Sequence, residues 1–203
     1  MSDNGHAHEE PEAGYYAGRI RAIEALLVEK GVVTKEDVRR QIEYMEARSP
    51  ANGARLVARA WVDPEFKARL LSDTKGAAME LGVDASGPVE FVVVENTPQA
   101  HNLIVCTLCS CYPRAILGRP PDWYKSFNYR SRAVKEPRAV MREFGFEPPD
   151  DVEVIVHDST ADMRYMVLPL RPPGTEDMGE EELAGLVTRD SLIGVSMPRH
   201  AGS

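Results

Sequence analysis

The sequence predicts an α+β protein: an N-terminal helical arm followed by a mixed α/β layered domain that carries a metal-binding loop. Three observations point there. Apolar residues recur at helical spacing through roughly the first 80 positions. β-branched runs begin only after residue 88. The only cysteines, Cys106, Cys109 and Cys111, fall within one hexapeptide at the end of such a run. Helices first and strands later indicates segregated α+β architecture rather than strict βαβ alternation.

Residues 1–13 read as a polar, acidic, disordered tail, in which His6 and His8 are solvated residues without fixed partners. Residues 14–84 form the helical arm and residues 85–203 the metal-binding domain. From Tyr15, Ile20, Ile23 and Leu27 mark one helical face, and Gly31 stops it. Thr34 is placed to N-cap a second helix bearing Val38, Ile42 and Met45. After "SPANG" a short segment presents Ala54, Val57, Ala58 and Trp61; Asp63 and Pro64 then supply the N-cap and first turn of a helix with Phe66 and Leu70 inward. A further helix spans about 74–81 and ends at Gly82.

Beyond "ASGP", "VEFVVVENT" and "NLIVC" read as strands. Residues 112–132 look irregular and proline-marked, and Pro137 opens a helix that stops at Gly145. "DVEVIVHD" alternates, and "MRYMVLP" can pair with it as a hairpin across "STAD". "EEELAGLVTRD" is a closing helix, followed by the apolar run "LIGV".

Composition narrows the function. With 203 residues, 43% hydrophobic and 28% charged, the chain can bury a sizeable core. A formal charge of -8 argues against nucleic acid or an anionic membrane as partner. No apolar run reaches the roughly 18 residues of a membrane span, and no basic-then-apolar leader is visible, so a reducing, cytoplasmic setting is expected.

Three thiols so close together admit several chemistries. Cys106 and Cys109 have the spacing of a redox dithiol, which leaves Cys111 unused. His101 can complete a Cys3His zinc site of an interaction module. Alternatively, sulfurs at i, i+3 and i+5 fold a tight loop around one ion, bringing the backbone nitrogens of Ser110 and Cys111 close. Amide nitrogens bind metal only when deprotonated, which asks for a more polarising ion than Zn²⁺. Trivalent cobalt or iron suits, and five protein ligands leave one octahedral position open.

"VCTLCSC", residues 105–111, resembles the metal claw of nitrile hydratase α subunits. The likeness continues through "LGRPPDWYKSFNYRSR", the helix at Pro137, "RYMVLPLRPPGTE" and "EEELAGLVTRDSLIGV", and covers most of residues 54–197. Thr107 with Tyr112 looks like the cobalt form. The resemblance implies a lyase that hydrates a small nitrile to its amide, with residues 85–203 as the catalytic domain. It implies one Co(III) per chain, held by Cys106, Cys109, Cys111 and the amides of Ser110 and Cys111. Cys109 would be a sulfinate, Cys111 a sulfenate, and both catalytic; Thr107, Tyr112, Arg114 and Trp123 would line the substrate pocket. A β-type partner subunit, with the metal at the interface of a larger heteromer, and an activator for metal insertion are implied as well.

Two features bear on the substrate. Members of that family commonly continue "CYPWPVLG", whereas this chain reads "CYPRAILG", so Arg114 and Ala115 replace an aromatic residue and a proline. An arginine there looks like the related thiocyanate hydrolase γ subunit, whose substrate is an anion. Residues 114–142 also hold eight basic side chains against two acidic ones, a surplus of +6 that could face an anionic metal cluster or an acidic partner.

Overall fold

A computed structural model describes residues 13–201; His6, His8 and the tail around them lie outside the described residues. The chain divides into two units, one ending at Met45 and the other beginning at Glu46. Residues 46–84, which the sequence groups with the arm, therefore cluster with the strands.

The first unit is a pair of helices, α1 (Ala13–Glu29) and α2 (Lys35–Glu46). Gly31 turns the chain with φ 68, and Thr34 caps α2 by exchanging hydrogen bonds with Asp37. The apolar face read from the sequence stays open. Ile20, Ile23, Ile42 and Met45 are exposed, and no residue of α2 is buried.

The second unit opens with α3 (Pro50–Val62), α4 (Pro64–Ser72) and α5 (Thr74–Glu80). "SPANG" is not a break before α3: Pro50 is its first residue, and Gly53 lies inside it. A Cβ on Gly53 would sit 2.5 Å from Leu117, so close packing here outweighs glycine's poor helix propensity. Asp63 and Asp73 cap α4 and α5 through Phe66 N and Gly76 N. Leu56, Phe66 and Leu70 are fully buried, each side chain contributing about 1.5–3 kcal/mol of hydrophobic stabilisation.

β1 (Glu90–Glu95) and β2 (Ala100–Val105) follow, then α6 (Arg114–Leu117), α7 (Asp122–Lys125), α8 (Phe127–Lys135) and α9 (Pro137–Glu143). The stretch read as irregular is thus largely helical. Ser126 caps α8 through Tyr129 N, a signal masked by the prolines before it. β3 (Glu153–Asp158), β4 (Met163–Leu168), α10 (Glu180–Leu186) and α11 (Arg189–Ile193) complete the unit. The closing helix is two helices: Val187 is extended, Thr188 caps α11, and "LIGV" falls in α11 and the turn at Gly194.

The strands correct a further expectation. β3 and β4 form no hairpin; β2 pairs parallel with β3 and β1 parallel with β4, in two separate two-stranded sheets. Alternation reveals which face of a strand is apolar but not its partner. The long crossover through α6–α9 returns β3 in the same direction as β2.

A polar network ties these pairs together. Asn96 Oδ1 accepts from Asn102 N at 2.8 Å, and Asn102 Oδ1 accepts from His157 Nε2 at 2.8 Å. His101 Nε2 donates to the Gly194 carbonyl at 2.7 Å, while its Nδ1 accepts from Asn96 Nδ2 at 3.1 Å. Both ring nitrogens are therefore used by the neutral imidazole. Burial pushes the His101 pKa down, partly opposed by the Gly194 bond. The unfolded chain takes up a proton near pH ~6.5 that the fold resists. This contribution is accordingly complete above that pH and is lost as pH falls toward the lower folded value. The assembled protein should melt at lower temperature at pH ~5.5 than at ~7.5, with His101→Gln shrinking the difference. An unchanged difference would remove His101 as its source.

Candidate metal centre

Strand β2 is buried from His101 to Val105 and runs straight into the cysteines. Its parallel register places Val105 beside Asp158, so the cysteine loop and Asp158 share the carboxyl end of the pair, the usual location for sites in parallel sheets. Cys106 is buried, Cys111 half-buried and Cys109 exposed.

The sulfurs converge. Cys106 Sγ lies 3.5 Å from Cys109 Sγ, which lies 3.1 Å from Cys111 Sγ. All three fall within 4.8 Å of one another. These separations far exceed the ~2.0 Å of a disulfide. They bracket the about 3.3 Å expected between sulfurs at right angles around one ion with ~2.3 Å bonds. Ser110 and Cys111 lie in the same loop, and their backbone amides help to lower the Cys109 pKa. Hydrogen bonds from Cys111 and Cys106 bring the Cys109 pKa down to about 7. Burial, then the bond to Cys109, pushes Cys111 up to about 12. Crowding of the three sulfurs thus favours a thiolate at Cys109 and disfavours one at Cys111. The donor set fits a metal ion held by three sulfurs.

His101 takes no part. Its nitrogens are spent on Asn96 and Gly194, and among the described residues the three cysteines alone form a group able to hold a metal. The Cys3His zinc reading therefore lacks its fourth ligand.

Of the residues assigned to the pocket, Thr107 donates from N (2.9 Å) and from Oγ1 (2.5 Å) to the Asp158 carboxylate. Tyr112 is buried, edge-on to Tyr124 at 5.1 Å, and burial pushes its phenol pKa up. Arg114 is exposed at the start of α6. Trp123 packs edge-on against Tyr129 at 4.8 Å and Phe144 at 4.7 Å. The basic band is mostly consumed by its own surroundings. Arg132 pairs with Glu136 and Glu143, Lys125 with Asp122, and Arg142 with Glu147, while Arg138 donates to the Pro148 carbonyl. Arg130 is the member that reaches the loop, donating to the Thr107 carbonyl at 3.3 Å.

Sequence reasoning missed two residues near the loop. Asp158 lies far from it in sequence, and only the β2–β3 register reveals their meeting. Arg164, in β4, exerts its positive charge on Cys111. Beside the loop, Thr107, Phe127, Arg130, Ser131, Val134 and Lys135 line a groove of about 230 Å³. Leu108 is 88% exposed and Phe127 78%, so the loop stands in an apolar patch on the surface of this chain.

Residues 14–196 match the family described as nitrile hydratase, alpha chain. The low-molecular weight cobalt-containing nitrile hydratase subunit alpha of Rhodococcus rhodochrous is 55% identical over 183 residues, covering 90% of this chain and 88% of that one. Thiocyanate hydrolase subunit gamma of Thiobacillus thioparus is 44% identical over 189 residues, covering 88% of this chain and 78% of that one. A double mutant of the Fe-type nitrile hydratase from Comamonas testosteroni Ni1 superposes with TM-score 0.85 at 46% identity, over 94% of both chains.

Proposed function

The chain belongs to the nitrile hydratase α-chain family, and from that membership we propose that it is the α subunit of a cobalt enzyme that hydrates a small nitrile to the amide. The convergence of three cysteine sulfurs at one point carries this reading. Cobalt rather than iron is supported by 55%, 50% and 50% identity to three cobalt-containing nitrile hydratase α subunits.

Cys106, Cys109 and Cys111, with the amide nitrogens of Ser110 and Cys111, would hold the ion. A trivalent cobalt there would supply Lewis-acid polarisation of a nitrile or of water. The exposures accord with the oxidation pattern proposed for this site: Cys106, sealed in the core, would stay a thiolate, while the more open Cys109 and Cys111 would be oxidised by an external oxidant such as dioxygen to sulfinate and sulfenate. Hydration adds one water across C≡N: its oxygen bonds the nitrile carbon and both of its protons end on the nitrogen. The sulfenate oxygen of Cys111 would serve as the base that moves those protons, or as a nucleophile whose adduct water then cleaves to release the amide and restore the sulfenate. Tyr112 and Arg114, the residues that follow, would shape the pocket, with Thr107 and Trp123 behind them.

Membership of this family brings a β-type partner subunit. The exposed apolar residues around the loop, Leu108, Phe127 and Val134, are the surface such a subunit would cover. An activator for metal insertion belongs to the same proposal. Among the described residues no helix is long and apolar enough to cross a membrane.

Arg114 supports a second reading, a thiocyanate hydrolase γ-type chain, because an exposed cation beside the loop would attract an anion. Turnover by the complex with its β-type partner separates the two. The hydratase reading expects acetonitrile to be converted to acetamide, and Arg114→Ala to change KM without abolishing that turnover, as for a pocket residue that is not a metal ligand. Thiocyanate turnover without nitrile turnover, abolished by Arg114→Ala, would select the hydrolase.

A further inference from the structure

The segment spanning α7 and α8 fastens the cysteine loop from beneath. Tyr129 Oη donates to the Ile104 carbonyl at 2.6 Å, Arg130 to the Thr107 carbonyl, and Tyr124 Oη to the Cys111 carbonyl at 2.8 Å. One short stretch thus grips the strand before the loop, the loop's shoulder and its last cysteine. Only the Tyr124 bond acts on a residue that bears a sulfur of the metal cluster.

Tyr124 cannot adjust to the loop, because the core fixes it. The residue is 0% exposed, and its ring packs against Tyr112 at 5.1 Å, Tyr129 at 5.6 Å and Trp123 at 6.0 Å. A hydroxyl anchored this way dictates where the Cys111 carbonyl lies. Because the peptide is planar, fixing that carbonyl fixes the Cys111–Tyr112 peptide plane, and with it the backbone from which the Cys111 sulfur projects.

We propose that Tyr124 is a positioning residue for the metal loop, its core-anchored hydroxyl holding Cys111 so that its sulfur meets those of Cys106 and Cys109. This rests on the cobalt reading of the site, and it assigns to α7 a task that the motif itself does not contain. Tyr129 is the internal control. It too is a buried phenol donating to one carbonyl, but its acceptor lies in β2 and belongs to no cysteine.

The test uses the complex assembled with the β-type subunit, as wild type, Tyr124→Phe and Tyr129→Phe. Each is read for cobalt content under limiting cobalt, for sulfur-to-cobalt absorption and for melting temperature. Tyr124→Phe should take up cobalt about tenfold less effectively, in the range typical for loss of a partner behind the ligands, and its absorption should shift. Tyr129→Phe should lower the melting temperature and leave the absorption as in wild type. If Tyr124→Phe matches wild type in cobalt and absorption and differs only in melting, the proposal is overturned. Should it fail to assemble, 3-fluorotyrosine at position 124 keeps the ring and strengthens the donor. A shifted absorption then supports the proposal, and an unshifted one overturns it. A wild-type complex without cobalt would sink the cobalt reading and this proposal together, whereas cobalt in wild type with an unmoved Tyr124→Phe spectrum sinks the proposal alone.

Discussion

Cys106→Ser in the assembled complex is expected to empty the metal site and to lower turnover by on the order of a thousandfold or more, since the hydration has no route without its Lewis acid. Cys106 is the best-placed residue for this test. It is 0% exposed at the end of β2, its sulfur accepts from Cys109 N at 3.3 Å, and it lies 3.5 Å from Cys109 Sγ. Serine is nearly the same size, so the core around the strand should survive, with a cost of about 1–3 kcal/mol if the buried hydroxyl finds no partner. Cobalt analysis, turnover and a thermal melt on one preparation separate the two effects. Retained cobalt with near-normal turnover would show that the cluster is not the reaction centre.

Asp158→Asn is expected to lower cobalt content or turnover by about 10- to 100-fold, without touching a ligand. Asp158 accepts two hydrogen bonds from Thr107, one from N and one from Oγ1, and Thr107 directly follows Cys106, the first cysteine of the cluster. Hydrogen bonds to a charged acceptor are the stronger kind, about 1.5–3 kcal/mol each, and the exposure of this pair on the isolated chain argues for the lower end. Asparagine turns one oxygen into a donor, so one of the two bonds must be lost or reversed. Thr107→Val removes the hydroxyl bond alone and should have a smaller effect. The double variant should be little worse than Asp158→Asn, because both changes act on one contact. Full additivity would mean that the two residues act separately.

The site was more legible than the fold around it, and the reason is physical. Three thiols in a hexapeptide constrain chemistry by their identity alone, so Cys106, Cys109 and Cys111 could be read without knowing any tertiary neighbour. Local cues likewise located most helix ends: Thr34, Asp63 and Pro137 mark starts, and Gly31, Gly82 and Gly145 take the positive φ that ends helices. What could not be read was partnership. Period-2 alternation in "DVEVIVHD" identified a strand but not its parallel neighbour β2, and the proposed hairpin failed for that reason. Asp158 went unnoticed on the same account, as its importance exists only in that register. Gly53 resembled a break because its use, close packing of α3 on Leu117, is a tertiary one. The polar residues of the network around His101 gave no sign of being buried, since each finds its partner in a different element.

The most direct test of the cobalt claw is metal analysis of the complex with its β-type subunit, together with mass spectrometry of the peptide holding Cys106, Cys109 and Cys111. About one cobalt per α chain is expected, with a mass gain of about 48 Da, three oxygens, placed on Cys109 and Cys111 and Cys106 unmodified. Zinc or no metal, with all three thiols reduced in a fully assembled complex, would contradict it.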